Sequence, residues 1–414
     1  MTGKSRRWRA AVIAGVLLAS GCTAGDETAT PPPLTIGVLA PLSGPDAARG
    51  REAVQGAELA VDMVNNPRFD LSLPYAGSIG IRNGSRLALV TGDTRAEPTA
   101  PDRMARVQGA LGLVVSDRSE TVRALIERAE RLQLPVIDAA TTDDSLSELG
   151  RRCYFRIVPT DRDLASAVFG LLRQQRATGL PVRRVTVVGG QSDGFESVLA
   201  AFREAAASAG NDLSTLRYRD QPTEIDGLVS QITGTGTELV VAMTGSDAEA
   251  RAAGLLADRL KDRMPVIAIG RSAGALDAGG PGLNALRTVG WSTQYPTRSP
   301  TAKTLAETYR SRYGTAMTEP AVMAFTATLT LVRAIDVAQR PGTAEVRAAL
   351  RRVWFAGSET VLPWNGIRFD ASGRNELAAG MVEQRAQPGF RIVYPAELAA
   401  ARPVWPAAKP SAGN

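Results

Sequence analysis

Gly190-Gln191-Ser192-Asp193-Gly194 follows the apolar run Val185-Thr186-Val187-Val188 and precedes a helical pattern over 195–206. That is the strand-turn-helix setting in which a serine is presented as a nucleophile. Such a serine needs a base, and the chain contains no histidine. The commonest general base and metal ligand are therefore missing, with every Ser/His/Asp or Cys/His arrangement. The glycines then read as permitting a tight turn at a strand end, and a hydrolase built on Ser192 is kept only as a third alternative. No enzyme, cofactor or metal is expected. Of the two cysteines, Cys153 lies in Cys153-Tyr154-Phe155-Arg156-Ile157 and reads as a buried strand residue.

Non-covalent chemistry is better supplied. Six loops rich in Ser, Thr and Gly follow apolar runs: Pro41-Leu42-Ser43-Gly44-Pro45, Ser116-Asp117-Arg118-Ser119, Ala140-Thr141-Thr142-Asp143, 190–194, Thr244-Gly245-Ser246 and Gly270-Arg271-Ser272. A helix opening near Ser119 would offer free N–H groups to a carboxylate, although serine there also simply caps a helix.

The elements that must position these loops alternate along the chain. Apolar runs predict strands at 35–40, 86–91, 112–116, 135–139, 185–188, 239–243, 266–269 and 288–292. Amphipathic spacing predicts helices at 49–64, 119–132, 164–175, 194–208 and 247–260. Continuous apolar strands, each followed by a helix, imply parallel sheets covered on both faces. The fold class is α/β with two doubly wound parallel-sheet lobes, in which ligands gather beyond the carboxyl ends of strands.

The first 33 residues are of another kind. Lys4, Arg6, Arg7 and Arg9 precede an apolar run over 10–19, then Ser20, Gly21 and Cys22, the layout of a secretory signal. Leu18-Ala19-Ser20-Gly21-Cys22 resembles the bacterial lipobox, which implies cleavage before Cys22, lipid on that cysteine and an extracytoplasmic, membrane-anchored location. Residues 1–21 are the expected signal and 22–33, ending in three prolines, the tether. The chain has 414 residues, 44% hydrophobic and 22% charged, as globular material does. Its net charge of +6 includes the four basic residues of the signal, and no basic run with interleaved aromatics marks a nucleic-acid partner.

Ile36-Gly37-Val38-Leu39-Ala40-Pro41-Leu42-Ser43-Gly44-Pro45, with Gly50 and Gly56-Ala57-Glu58-Leu59-Ala60, resembles the start of the branched-chain amino acid binding proteins of ABC transporters. Those are type I periplasmic binding proteins. The stretches Ile367-Arg368-Phe369-Asp370 with Gly373, Val393-Tyr394-Pro395-Ala396-Glu397-Leu398-Ala399 and Pro403-Val404-Trp405-Pro406 resemble the family's closing strands and tail. The resemblance spans about 34 to 406 and implies two lobes joined by three crossings, closing on a small solute. Expected lobes are 34–158 with 293–361, and 159–292 with 362–406, leaving 407–414 as a tail; the crossings fall near 159–161, 291–294 and 361–366.

The same resemblance implies a carboxylate held by Ser119, Ala140 and Thr142, with Thr141 in the same loop. Departures begin elsewhere. Arg49 and Asp193 stand where the amino-acid binders carry aromatics, and the acid that pairs with the ligand's ammonium falls at or beside Ser272. Arg49, Arg118 and Arg271 suggest a ligand with extra acceptor character, or arginines at the cleft rim. Asp193 could replace the lost acid or cap its helix, and Ser246 and Ser272 complete the second lobe's expected set. The implied function is a lipid-anchored receptor binding a small carboxylate-bearing metabolite and passing it to an ABC permease and ATPase. The alternative is a sensor of the same fold coupled to a signalling partner.

Overall fold

A computed structural model describes residues 32–81, 84–190, 193–218, 225–270, 285–338, 340, 342–386 and 389–405, without the side chains of Asp193 and Asp247. Cys22, Arg271 and Ser272 lie outside the described residues.

Five short apolar segments form the first sheet: β1 (Leu34–Ala40), β2 (Leu87–Asp93), β3 (Leu113–Val115), β4 (Val136–Asp138) and β5 (Tyr154–Arg156), all parallel in the order β2-β1-β3-β4-β5. Because both faces are covered, β1 is apolar on both. Ile36 and Val38 join a core with α1 (Ala47–Asn65). Leu39 faces α2 (Ala100–Arg106) and α3 (Ser119–Leu132). A short α4 (Ser145–Glu148) precedes β5.

The chain then leaves for the second lobe. There α5 (Asp161–Ala177), β6 (Arg184–Gly189), α6 (Asp193–Ala209), β7 (Asp212–Arg217), α7 (Ile225–Gly234), β8 (Leu239–Met243), α8 (Asp247–Leu260), β9 (Val266–Ile269) and β10 (Ala285–Val289) follow. Strands β7-β6-β8-β9-β10 repeat the 2-1-3-4-5 order of the first sheet and are parallel.

Beyond β10 the chain returns to the first lobe. Trp291 is buried in its core, as are residues of α9 (Pro300–Tyr313), α10 (Glu319–Val337), α11 (Thr343–Leu350) and the hairpin β11 (Trp354–Ala356) and β12 (Gly366–Arg368). By length and composition α10 is apolar enough to cross a membrane, but most of it is buried as the core helix of this lobe. Finally β13 (Met381–Arg385) and β14 (Phe390–Tyr394) add an antiparallel pair to the β10 edge, so the second sheet is mixed.

Three expectations are corrected. The strand expected at 288–292 is β10, which ends at Val289 because Gly290 begins the crossing. Residues 362–378, expected in the second lobe, belong to the first: Leu362, Trp364, Ile367, Phe369 and Ala378 are buried in its core, and Arg374 bridges to Arg156 at the β5 edge. The third crossing therefore lies between Ala378 and Met381 rather than at 361–366. Apolar spacing announces burial without saying against which sheet. Helices α9 to α11 and the edge strand β7, half-exposed along its length, carry no expectation from the sequence reading.

The crossings are packed on one another. A side chain on Gly290 would meet the Pro159 ring at 2.9 Å, and one on Gly380 the Asp163 carbonyl at 3.1 Å. Arg374 Nη2 donates to Asp163 Oδ1 at 2.9 Å, and Asn375 Nδ2 to the Ile157 carbonyl at 3.3 Å.

Candidate functional site

Helix α1 starts pressed against the loop after β1: a side chain on Gly50 would stand 1.9 Å from the Pro41 carbonyl oxygen. This close approach puts Arg49, in the first turn, at the lobe boundary. There a cleft of about 580 Å³, counted to its mouth, is lined by strand ends of both lobes and by the crossings.

From the first lobe come Arg49, Ser116 after β3, and Ala140 and Thr142 after β4. Asp138, at the end of β4, holds that loop. Its Oδ1 accepts from the amides of Ala140 at 2.9 Å and Thr141 at 3.1 Å, and its Oδ2 from the Thr141 hydroxyl and from Tyr154 Oη at 2.8 Å. Thr141 is thus turned inward and buried, while Ala140 and Thr142 face the cleft. Asp138 is fully buried, which raises its carboxyl above the ordinary range despite Arg156 and these donors.

Arg156 is fully buried beside it. Its Nη1 donates to the carbonyl of Asp143 at 2.6 Å and more weakly to that of Thr141, and its Nη2 to Ser147. The same loop reaches the first crossing, since the Asp161 amide donates to the Thr142 carbonyl at 2.7 Å. Ser197 of α6 accepts from the Asp144 amide at 3.2 Å and donates to Asp161 Oδ2 at 2.5 Å, joining the lobes. Burial pushes the Asp161 carboxyl up to about 7.

The second lobe contributes Leu164, Gly270, Thr288 and Val289, and the crossings Pro159 and Gly290. The start of α10 adds Glu319, Pro320 and Met323. Glu319 Oε1 accepts from the amides of Gly290 at 2.7 Å and Trp291 at 3.1 Å. Burial raises its carboxyl, and those amides and the nearby Arg49 charge only partly offset this. Arg49 Nε and Thr288 Oγ1 are buried with no hydrogen-bond partner.

Of the expected site residues, the structure brings Arg49, Ala140 and Thr142 together in the cleft. Ser119 opens α3 as expected, half-exposed and not among the lining residues. Ser246 caps α8 in a reciprocal pair with Glu249, its amide and hydroxyl donating to Glu249 Oε2 and its hydroxyl accepting from the Glu249 amide. Asp193 is the first residue of α6. Arg118 does not belong to the lining: its Nε donates to Asp46 Oδ2 at 2.9 Å, with Arg95 Nη2 at 3.2 Å on the same oxygen. Sequence reasoning named Ser116 only as part of its loop and missed Thr288 and Glu319 as lining residues. For Glu319 a signal existed: Thr318-Glu319-Pro320 before a long apolar run is a helix start. Among the described residues no cluster of three or more His, Cys, Asp or Glu could hold a metal ion.

Comparison with known proteins gives a consistent result. A family model described as periplasmic binding protein matches residues 33–385. The Leu/Ile/Val-binding protein homolog 7 of Brucella abortus is 23% identical over 380 residues, covering 87% of this chain and 91% of that protein. Among solved structures, the branched-chain amino acid transporter substrate binding protein LivJ of Streptococcus pneumoniae, in complex with isoleucine, aligns with a TM-score of 0.69 at 18% identity, covering 88% of this chain and 100% of the other. A solute binding protein of an ABC transporter from R. palustris, in complex with benzoate, aligns with a TM-score of 0.67 at 16% identity, covering 87% and 95%. At these identities the structures establish a shared fold.

Proposed function

The chain belongs to the periplasmic binding protein family, and from that premise we propose that it is a lipid-anchored, extracytoplasmic receptor delivering a small, carboxylate-bearing, amino-acid-like metabolite to an ABC permease and its ATPase. The observation that carries the reading is the interlobe cleft with Arg49 in its wall, a guanidinium whose buried Nε has no protein partner. A buried donor left unpaired costs about 1–3 kcal/mol, and a planar carboxylate is the group a guanidinium matches best. The two structural relatives above hold isoleucine and benzoate, which share a carboxylate and little else.

Binding proceeds by hinge closure about the three crossings. The first lobe receives the carboxylate with Arg49, Ala140, Thr142 and the α3 terminus at Ser119; Thr141 and Ser246 act by holding their own loops. Asp193 and Ser272 complete the site from the second lobe. Cys22 carries the lipid.

A thermal-shift screen of the purified protein against amino acids, amides, dicarboxylates and aromatic acids tests the ligand class. A ligand at a hundred times its Kd stabilises by about 2.7 kcal/mol, so a hit is plain, and a screen in which no carboxylate shifts the melting curve rejects the reading. Cell fractionation tests the anchor: the wild type is expected with membranes and Cys22→Ser in the soluble fraction. An unchanged distribution rejects lipidation.

A further inference from the structure

Four of the seven large apolar side chains left exposed among the described residues share one end of the first lobe: Phe69, Ile79, Val107 and Val337. That end is where β1 begins. The Leu34 amide donates to the Arg86 carbonyl at 2.8 Å and the Leu111 amide to the Thr35 carbonyl at 2.9 Å, so the segments entering β2 and β3 lie beside the start of β1. Val107, 79% exposed, sits in the turn from α2 into the second of these segments. Phe69, 85% exposed, and Ile79 lie on the loop after α1, which returns to the helix end where the Gly80 amide donates to the Val64 carbonyl at 2.7 Å. Val337 closes α10, where Tyr75 of the same loop donates to Asp336 at 3.1 Å. Single exposed apolar side chains are ordinary, but these four gather at the strand starts, while the cleft lies beyond the other ends of the same strands.

Arginines share this end. Arg86 precedes β2, Arg106 closes α2, Arg131 stands in the last turn of α3 and Arg340 follows α10; all four are exposed, and none forms an ion pair with a described residue. Of the acids nearby, Asp70 is paired with Arg68 and Asp336 holds Tyr75, while Glu345 stands exposed at the start of α11. Positive charge is in excess. From Cys22 to Leu34 the chain spans at most roughly 40 Å, so a lipid on Cys22 keeps the start of β1 within that distance of a bilayer. Apolar side chains interspersed with guanidiniums suit the boundary between acyl chains and anionic headgroups.

We infer that this end of the first lobe is a docking face for a membrane bearing anionic lipids, with Phe69, Ile79, Val107 and Val337 entering the interface and Arg86, Arg106, Arg131 and Arg340 meeting its phosphates. This rests on the anchoring reading above and goes beyond it, because a lipid on Cys22 fixes a distance and no orientation. Docked in this way, the lobe stands with its strand ends and the cleft turned from the bilayer.

The test uses the processed protein, purified with its lipid and reconstituted on vesicles of phosphatidylcholine alone or of an equimolar mixture with phosphatidylglycerol. An environment-sensitive nitrobenzoxadiazole label is introduced through Val107→Cys or, on α8 of the second lobe, through Leu255→Cys, whose native side chain is also exposed; Cys153 is buried and stays unlabelled. On the mixed vesicles the label at position 107 is expected to emit at shorter wavelength and to be quenched by spin-labelled lipid, and the label at position 255 to remain as in water. Arg86→Glu combined with Arg340→Glu is expected to lower the docked-to-free ratio about 25-fold or more, at about fivefold for each arginine near an anionic surface.

Four results overturn the inference: a label at position 107 as hydrated as that at 255, equal lipid contact at both positions, contact as strong on phosphatidylcholine alone, or contact unaltered by the double charge reversal. A mature Cys22→Ser chain that dimerises in sedimentation velocity, and loses the dimer with Val107→Asp, assigns the face to a second copy and overturns it too. Mass spectrometry of the processed protein separates the two levels. Absence of lipid on Cys22 refutes the anchoring reading and the inference with it, whereas a lipidated protein whose label at position 107 stays in water refutes the inference alone.

Discussion

Asp161 gives the sharpest quantitative test. It opens α5 at the first crossing, 1% exposed, with Ser197 donating to Oδ2 while Oδ1 is buried and unpartnered. Asp144 and Asp143 add repulsion, so its carboxyl moves from 3.8 to about 7 in the folded state. The folded protein thus holds a proton that the unfolded chain has already lost between those values. The stabilisation from that proton is full below pH 3.8, falls as pH rises and is gone above about pH 7. At 1.36 kcal/mol per unit the whole effect is about 4 kcal/mol, of which about 2.5 kcal/mol falls between pH 5 and 8. Asp161→Asn keeps an acceptor for Ser197 and cannot ionise. Its fixed cost, an amide in place of an unpartnered oxygen, does not vary with pH. Urea midpoints by tryptophan fluorescence at pH 5, 6, 7 and 8 should therefore show the variant gaining on the wild type by about 2.5 kcal/mol across the range, or about 0.8 M for an m-value near 3 kcal/mol/M. Groups that titrate in both proteins cancel in the difference. A gap equal at pH 5 and pH 8 refutes the burial argument for Asp161.

Two further outcomes follow from the site's framework. A side chain on Gly56 would lie 2.0 Å from the Ala321 carbonyl oxygen, so Gly56→Val should force α1 from α10 and cost about 3 kcal/mol or more, while Gly234→Ala, with nothing within 4 Å, should stay within about 1 kcal/mol of wild type by thermal melting. Arg118 is held at Asp46 and Arg49 is not, so Arg118→Ala should leave ligand affinity within about threefold and Arg49→Ala should lower it about tenfold or more by calorimetry. Equal effects would refute the assignment of the two arginines.

Much of the framework is legible in the residues themselves. Helix α3 spans Ser119–Leu132 where its amphipathic spacing places it, and α8 spans Asp247–Leu260 behind the capping serine Ser246. Strands buried on both faces, such as β8 and β9, stand out as unbroken apolar runs. Legibility fails where a partner distant in sequence decides the outcome. Nothing local tells Ile367 that its core is that of Ile36. An edge strand such as β7, half in water, loses the run that marks its neighbours.

The cleft shows the same division. Ala140 and Thr142 are found from their loop after β4, but the inward turn of Thr141 depends on Asp138 and Tyr154. Glu319 reaches the cleft only because α10 lies against α1, a contact across more than half the chain. Departures from the family pattern at Arg49 and Asp193 are legible in the sequence, but the contacts that stand in place of the usual ones are not.

The return of the chain to the first lobe also fixes an order of events during synthesis. Residues 34–158 contain the whole first sheet, yet α1 buries its apolar side against α10 and the β5 edge is completed by Arg374 and Asn375. The segment made first therefore cannot finish folding until nearly all of the chain exists, whereas β6 to β10 and their helices can begin to pack as one contiguous stretch. Contacts this remote in sequence make folding slow, and the α1 face of the first sheet stays incompletely covered until α10 arrives, while α2 and α3 can already cover the other face.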